Sequence, residues 1–239
     1  MRAPISVVVP SLNAGPGFAA MLAALTPGLS EGLLRELVVS DGGSTDDTLA
    51  IAEAAGARVI RGARGRGGQL RRGVAAAEGA WLLVLHADTQ LAPDWPEAVR
   101  AHLTAHPDRA GYFWLRFRAS GLAPRMVAGG ANLRSRFFGL PYGDQGLLIP
   151  RALYDSAGGY PDIPLMEDAA LARALKGRLV PLAAVATTSA ARYRNRGWAR
   201  QTAANLWRLL RWRLGASPDQ LARDYAPPDG AEPASRPEP

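Results

Sequence analysis

The fold is decided by the stretch Val38-Val39-Ser40-Asp41-Gly42-Gly43-Ser44, in which an apolar run stops abruptly at an aspartate and two glycines. Residues 36–40 have the length and the β-branched content of a buried strand. Residues 45–55, which follow, carry alanine, leucine and isoleucine at helical spacing. The stretch therefore predicts a strand, a polar turn and a helix.

The same order of elements recurs on both sides of this stretch. Further apolar runs predict strands at residues 5–9, 57–60 and 81–85, and helical spacing predicts helices at 18–25 and 69–77. Apolar strands that alternate with helices are typical of an α/β fold, a Rossmann-like, mostly parallel sheet with helices on both faces. The ligand site of such a sheet lies at the carboxyl ends of its strands.

Polar and glycine-rich segments follow each of these predicted strands. They are Pro10-Ser11-Leu12-Asn13, Asp41-Gly42-Gly43-Ser44, the basic loop at 61–68, and His86-Ala87-Asp88-Thr89. We therefore expect carboxylates, amides, glycines and arginines to meet at one edge of the sheet.

The second half of the chain is less regular. Strands are predicted at 111–117, 146–149 and 179–188, and helices at 123–136, 169–175 and about 198–214. We expect one domain over residues 1–197 and a basic, amphipathic helical appendage over 198–226. Residues 227–239 are proline-rich and polar, which predicts a disordered tail.

Composition sets further limits. The 239 residues suit one large domain, and the longest apolar run, at 81–85, is far too short to span a bilayer. No signal-peptide pattern precedes the first strand, so we expect a cytoplasmic protein.

The absence of cysteine excludes disulfides and thiolate metal sites. The net charge of +7 suits phosphate or anionic lipid, but the arginines are dispersed and no recognition module is visible, so we expect no nucleic-acid partner.

At this point the residues resemble the family 2 glycosyltransferases, which use the GT-A fold. The matching segments, in the family's order, are Val7 to Asn13, Val38 to Asp46, Leu83 to Asp88, and Glu167-Asp168. The later segments Tyr142-Gly143-Asp144-Gln145-Gly146, Leu165 to Asp168 and Thr188 to Arg192 resemble a bacterial subgroup labelled arsenosugar-biosynthesis glycosyltransferases. The resemblance covers roughly residues 5–193 and implies an inverting transfer of a sugar from a nucleotide donor, most simply a UDP-sugar.

A nucleotide sugar requires a base pocket, and the first two strand ends are the candidates for it. Asp41 has the acceptor oxygens for a pyrimidine ring N–H, a role that the resemblance also implies; the alternative is an Asx turn that bonds its own loop. The other residues that we assign to the nucleotide are Pro10, Leu12, Asn13, Gly42, Ser44 and Ala87.

His86-Ala87-Asp88 stands where the family has Asp-x-Asp. Alternate residues after a strand point the same way, so His86 and Asp88 can face one ligand. The resemblance implies that Asp88 binds Mg²⁺ or Mn²⁺, which bridges the two phosphates of the donor. The histidine removes one negative charge from this site; it is either a second metal ligand or an ordinary packing residue.

The glycine loop at 64–69 resembles the family's basic loop before a helix. We assign Arg66 to the pyrophosphate, with Arg64 in reserve, because glycines and a helix start let backbone amides approach an anion. Arg192, after the last strand, is a further phosphate candidate. The alternative for the loop is a solvated segment with no ligand.

Glu167-Asp168 opens a predicted helix and supplies the candidate catalytic base. We assign Asp168 as the base that deprotonates the acceptor hydroxyl and Glu167 as its neighbour. Two alternatives remain: the reverse assignment, and two acidic residues that only stabilise the helix through its dipole. Asp144 and Gln145 lie between glycines and are assigned to the donor sugar or the acceptor, which is a small molecule or a lipid-linked compound.

The segment 198–214 combines tryptophans and leucines with four arginines at helical spacing. Such a helix either packs on its own domain or lies on an anionic membrane, which would place the protein at the inner membrane face. Two other functions fit the same sheet: a nucleotidyltransferase, which usually has a glycine-rich phosphate loop directly after the first strand, and a non-catalytic nucleotide-binding scaffold, suggested by His86 alone.

Overall fold

The structure, a computed structural model, describes residues 3–224. Its strands, numbered β1 to β8 along the chain, are Ile5–Ser11, Leu34–Asp41, Arg58–Arg61, Trp81–Val84, Gln90–Leu91, Ala110–Phe117, Leu147–Pro150 and Leu179–Thr188. Its α-helices, α1 to α11, are Pro16–Ala23, Thr26–Ser30, Thr48–Ala54, Arg66–Ala76, Trp95–Ala105, Leu122–Phe138, Arg151–Ser156, Glu167–Ala174, Ala191–Arg196, Trp198–Arg213 and Pro218–Arg223. A 3₁₀ turn covers Gly143–Gln145.

All of these strands join one sheet in the order β3-β2-β1-β4-β7-β6-β8-β5. The half that contains β1 to β4 is parallel, as predicted. The other half is mixed, because β7 is antiparallel to both β4 and β6 and β5 is antiparallel to β8. The predicted α/β fold is confirmed, and the parallel character is concentrated in the half that carries the first four strand ends.

Helices cover both faces of the sheet, and alternate residues of β1 show how. Val7 and Val9 pack with Phe18 of α1 and Trp95 of α5 on one face. Val8 packs with Leu70 of α4 on the other face, in a cluster that also includes Leu171 of α8. A strand buried on both sides has apolar residues at successive positions, which is the pattern that identified it in the sequence.

The strand predictions for the first half are confirmed within one or two residues. The helix predicted at 18–25 was wrong in its extent, because the chain forms two short helices there, α1 and α2, with Pro27 at the start of the second. The sequence analysis missed the helices α5, α7, α9 and α11 and the two-residue strand β5. The predicted tail at 227–239 lies outside the described residues.

Helix α10 packs against the rest of the domain through its first turn and through the buried side chains of Gln201, Arg208 and Leu209. Trp198 stacks on Tyr193 with ring centroids 4.9 Å apart and meets Phe117 of β6 edge-on at 5.2 Å. Within residues 3–224, no helix combines the length and the apolarity needed to cross a bilayer.

Candidate active site

The loop after β2 is organised by Asp41. This carboxylate is 1% exposed and accepts hydrogen bonds from the backbone N–H of Gly43 at 2.7 Å and of Ser44 at 2.9 Å, and from the Ser11 hydroxyl at 3.2 Å. Burial favours the neutral acid, but the bonds from Ser44, Gly43 and Ser11 outweigh it and lower the pKa of Asp41. Both oxygens are thus used by the loop itself, as in the Asx-turn alternative, and the contact of Asp41 with a base stays a prediction.

The loop after β1 is tied to the same structure. Asn13 adopts a left-handed backbone with φ of 47° and accepts a bond from the Thr45 N–H at 2.9 Å, while its own N–H donates to the Ser44 hydroxyl at 2.9 Å. Pro10 is buried within β1, whereas Leu12 and Asn13 are more accessible. The predicted walls of the nucleoside pocket are therefore held together as one unit.

A residue that the sequence analysis missed, Gln69, joins this unit to α4. Its side chain is 5% exposed and its Nε2 donates to the carbonyl oxygens of Ser11 at 2.6 Å and Ser40 at 3.1 Å. Its Oε1 accepts from the Gly65 N–H at 3.3 Å, at the start of the helix. The available signal was a polar residue at a buried helical position, and its role is to fix the start of α4 against the ends of β1 and β2.

Arg66, the first residue of α4, lies at the centre of the site. Its Nε is 2.5 Å from Oε1 of Glu167, and its Nη2 is 3.5 Å from Oδ2 of Asp168 and in contact with Nε2 of His86. The predicted reserve, Arg64, is exposed on the loop outside this cluster. The structure thus brings together residues from the third loop, the fourth strand end and the start of α8.

His86 and Asp88 follow β4 and face this guanidinium. Burial and the positive charges of Arg66 and Arg192 hold the pKa of His86 well below its usual value, so its imidazole is neutral and Nε2 accepts a bond from Arg66. Burial raises the pKa of Asp88 against the opposing effect of Arg66, Arg118 and Arg192. The Thr188 hydroxyl lies 3.5 Å from Oδ1 of Asp88.

These two side chains provide one carboxylate and one imidazole nitrogen for a metal ion. Mn²⁺ accepts both ligand types and Mg²⁺ prefers oxygen, and either is commonly held by one or two protein ligands together with substrate phosphates. Among residues 3–224 there is no group of three or more His, Cys, Asp and Glu side chains that could hold an ion. The donor set therefore fits an ion that takes most of its ligands from a diphosphate, with Asp88 as the protein's main contribution and His86 available only when Arg66 is not bonded to it.

Glu167 and Asp168 differ in their surroundings although they are adjacent. The Glu167 side chain is 3% exposed beneath Arg66, and the Asp168 side chain is 17% exposed. Burial and the neighbouring charge of Asp168 raise the pKa of Glu167, and the contact with Arg66 opposes this shift. Oδ2 of Asp168 accepts a bond from the Gly143 N–H at 3.0 Å. A Cβ at position 143 would collide with His86, Asp168 and Arg66, so this close approach requires glycine.

The 3₁₀ turn places its two predicted sugar-binding residues differently. Asp144 is partly buried, its Oδ1 is buried without a hydrogen-bond partner, and burial together with the charges of Asp168 and Asp88 raises its pKa to about 6 against the pull of Arg134. Gln145 points into the protein: Oε1 accepts from the Ser135 hydroxyl at 2.5 Å and Nε2 donates to the Phe113 carbonyl at 3.1 Å. Gln145 therefore fixes the turn, and the geometry favours Asp144 for contact with a substrate hydroxyl.

The raised pKa of Asp144 makes a prediction about stability. Its value of about 6 in the folded protein exceeds the ordinary 3.8, so its ionisation costs the folded state free energy as the pH rises from about 4 through about 6. We expect Asp144→Asn to raise the free energy of unfolding at pH 7 by up to about 3 kcal/mol, from the product of the shift and about 1.4 kcal/mol per pKa unit. Urea unfolding measures this; equal gains at pH 7 and pH 3 would contradict the electrostatic origin.

Arg192, at the start of α9, acts on the same cluster electrostatically. Burial and the nearby charge of Arg196 lower its pKa, and attraction to Asp88 opposes this. The structure thus gathers the predicted catalytic and metal-binding residues around Arg66, together with Asp144 and Arg192. Asp41 and the β1 loop form a second unit that Gln69 joins to α4, and Arg64 lies apart.

Comparisons with known proteins identify the family and the fold of this chain. Residues 6–139, more than half of the chain, match the family model described as Glycosyl transferase family 2, and the chain belongs to that family. Its sheet has the GT-A fold of solved family relatives. The motifs behind the subgroup resemblance lie beyond residue 139, so the subgroup stays a prediction.

The individual relatives are more distant. Glucosyl-3-phosphoglycerate synthase of Mycobacterium tuberculosis is 38% identical over 93 residues, which are 35% of this chain and 28% of that protein. The crystal structure of S. aureus TarS 1-349 gives a TM-score of 0.60 at 18% identity, over 93% of this chain and 70% of that one. That of the M. tuberculosis synthase gives 0.54 at 27% identity, over 78% and 70%. The latter enzyme has also been solved in complex with Mn²⁺ and UDP-glucose.

Proposed function

We propose that this protein is an inverting glycosyltransferase that moves a sugar, of the hexosyl type, from a UDP-sugar to an acceptor hydroxyl with the assistance of a divalent metal. The observation that carries the proposal is the position of the Arg66 guanidinium among His86, Glu167 and Asp168, at the carboxyl ends of the strands. A fixed cation beside a carboxylate is what a leaving diphosphate and a hydroxyl nucleophile require. The UDP-glucose complex of the M. tuberculosis relative supports the choice of donor.

Asp168 is the proposed base. Its Oδ2 is held by the Gly143 N–H, and its side chain is more accessible than that of Glu167. It takes the proton of the acceptor hydroxyl while the acceptor oxygen forms a bond to the anomeric carbon from the face opposite the leaving group. The bond from that carbon to the phosphate oxygen breaks, and its electron pair leaves with UDP. One displacement inverts the anomeric configuration, and no sugar-enzyme bond is formed.

The remaining residues bind and orient the donor. Arg66, Arg192 and the start of α4 supply positive charge for the diphosphate, and Glu167 holds Arg66 in place. A divalent ion bound at Asp88 would neutralise charge that develops on the leaving phosphate. Asp144, with its unpartnered oxygen, would accept a bond from a sugar or acceptor hydroxyl.

The cellular setting forms part of the same proposal. The acceptor is a small molecule or a lipid-linked compound, the protein acts in the cytoplasm, and segment 198–214 contacts the inner face of a membrane. No specific observation favours a nucleotidyltransferase or a non-catalytic scaffold. A nucleotidyltransferase usually has a glycine-rich phosphate loop after its first strand, whereas the turn after β1 bonds to the β2 loop through Asn13 and is not glycine-rich.

Isothermal calorimetry with UDP tests the function directly. We expect UDP to bind roughly tenfold more tightly in the presence of Mn²⁺, because an ion held by Asp88 would neutralise the negative charge of the diphosphate. Asp88→Asn should remove the dependence on Mn²⁺ and leave the weaker metal-free binding in place. Failure of UDP to bind under either condition would contradict the proposal. If UDP binds, a screen of UDP-sugars for hydrolysis with Mn²⁺ identifies the donor.

A further inference from the structure

Two helices that pack against each other, α6 and α10, leave large apolar side chains in solvent. On α6 these side chains are between 58% and 74% exposed, and on α10 and the residue that follows it between 47% and 77%. They are Leu122, Met126, Leu133, Phe137 and Phe138 on α6, Leu206, Trp207 and Leu210 on α10, and Leu214 directly after α10. Exposed apolar residues scattered singly are ordinary on a protein surface, but groups of this size mark an interaction site.

Helical spacing places four of the five residues of α6 on one face of the helix. Leu122, Met126, Leu133 and Phe137 follow one another at intervals of four, seven and four, which returns them to the same side of an α-helix, and Phe138 lies outside this row. The opposite side of α6 is buried, with Ala128 and Val127 packed in a cluster with Trp198 of α10. Packing within the domain therefore uses one face of α6 and leaves the other without a partner in residues 3–224.

The charged residues of these two helices are all arginines, and a neighbouring carboxylate, that of Asp224 after α11, is paired with Arg211 of α10. Neither α6 nor α10 contains an aspartate or a glutamate. Exposed arginines accompany the apolar residues on both helices: Arg125 and Arg136 on α6, and Arg200 and Arg213 on α10. An apolar face bordered by arginines matches the boundary between the acyl chains and the anionic headgroups of a bilayer.

We propose that α6 and α10 together form a docking surface for an anionic lipid bilayer. The proposal adds a second helix to the membrane contact proposed for 198–214, and it does not depend on the catalytic function. A second copy of the chain fits the charges poorly, because face-to-face pairing would bring arginines opposite arginines with no carboxylate on either helix.

The helix α6 also contacts the site through its opposite, inner face. This face holds the 3₁₀ turn, since the Ser135 hydroxyl donates to Oε1 of Gln145 and Oδ1 of Asn132 accepts from Nε2 of Gln145 at 3.4 Å. The neighbour of Gln145 is Asp144, which interacts electrostatically with Asp168, Asp88 and Arg66 of the site. Docking through the outer face of α6 would therefore leave this one helix between the bilayer and the Asp144 turn.

Vesicle co-sedimentation of the full chain tests the surface. We expect binding to vesicles of equal parts phosphatidylglycerol and phosphatidylcholine, little binding to phosphatidylcholine alone, and loss of binding at high salt. The double variant Met126→Ser, Phe137→Ser should weaken binding at least about tenfold, because two apolar side chains no longer insert. The pair Arg125→Gln, Arg136→Gln should weaken it about fivefold for each arginine removed.

Matched controls lie on other surfaces. Leu29→Ser removes a leucine that is 64% exposed on α2, and Arg109→Gln removes an exposed arginine before β6; both should bind as the unaltered protein does. Thermal melting and UDP calorimetry confirm that each variant is folded, and they separate this proposal from the catalytic one. The proposal is overturned if the unaltered protein stays in solution with anionic vesicles at low salt, if the α6 variant binds normally, or if sedimentation velocity shows a dimer that the α6 variant abolishes.

Discussion

Replacing Asp168 by asparagine is expected to lower the rate of sugar transfer by about a thousandfold, the middle of the range for loss of a general base. The amide has the size of the carboxylate and retains an oxygen that can accept the Gly143 N–H, so the fold and the turn should persist. It has no affinity for the acceptor proton, and the acceptor oxygen then attacks as a neutral hydroxyl. Steady-state kinetics should show the loss in kcat, with the dissociation constant of UDP changed little.

Two further variants make this result specific to the base. Asp155→Asn alters an exposed aspartate on α7 and should leave the rate unchanged. Glu167→Gln removes the charge that holds Arg66 and should act mainly through weaker binding of the donor, with a smaller loss in kcat. If Glu167→Gln lowers kcat a thousandfold while Asp168→Asn is nearly normal, the two residues exchange roles, an alternative that the sequence left open.

The sequence was sufficient for β1, β4 and the second half of β2 because these segments are buried on both faces. Such strands consist of successive apolar residues, and each run ends at a proline or a polar residue. The edge strand β3 is only partly buried and was identified from its short apolar run at 57–60. The end of each strand then fixes the edge of the sheet at which its next residues lie. This is why Asp88 and Arg66, from different loops, could be assigned to one site without coordinates.

The elements that the sequence analysis missed have no apolar run with a clear end. Helix α5 begins at Trp95, directly before a proline, and its polar exposed face hid the apolar stripe of Trp95 and Val99. Strand β5 has two residues and exists only because β8 offers an edge for it to pair with. Both depend on tertiary partners, which a local pattern does not contain.

Within the site, residue types were easier to predict than the directions of side chains. Asp144 and Gln145 are adjacent and equally polar, but one oxygen of Asp144 is left without a partner while the Gln145 amide is bonded inside the protein. The 3₁₀ turn that gives the two side chains different directions depends on Gly143 and on the hydroxyl of Ser135 on α6. Likewise, Gln69 on α4 donates hydrogen bonds to one backbone carbonyl of β1 and one of β2, and no sequence motif marks such a contact.

The second large effect is expected at Arg66. Arg66→Met should lower kcat/KM at least about a hundredfold, because the cation nearest the proposed diphosphate site is lost when negative charge develops on the leaving group. The resting protein also changes, since Glu167 and Asp168 are then left side by side without the guanidinium that separates their charges. We expect a decrease of about 2 kcal/mol in the free energy of unfolding at neutral pH, less than for a fully buried pair because the Arg66 side chain is 32% exposed.

Arg64→Met is the matched control for this effect, since Arg64 is two residues away on the same loop and exposed. It should change neither the rate nor the stability by more than about twofold, or about 0.5 kcal/mol. Arg66→Lys keeps the charge but lacks the planar fork that meets Glu167, Asp168 and His86 together, so an intermediate rate is expected. A near-normal rate for Arg66→Met would remove the guanidinium from the mechanism, because charge at this position would then contribute nothing to departure of the diphosphate.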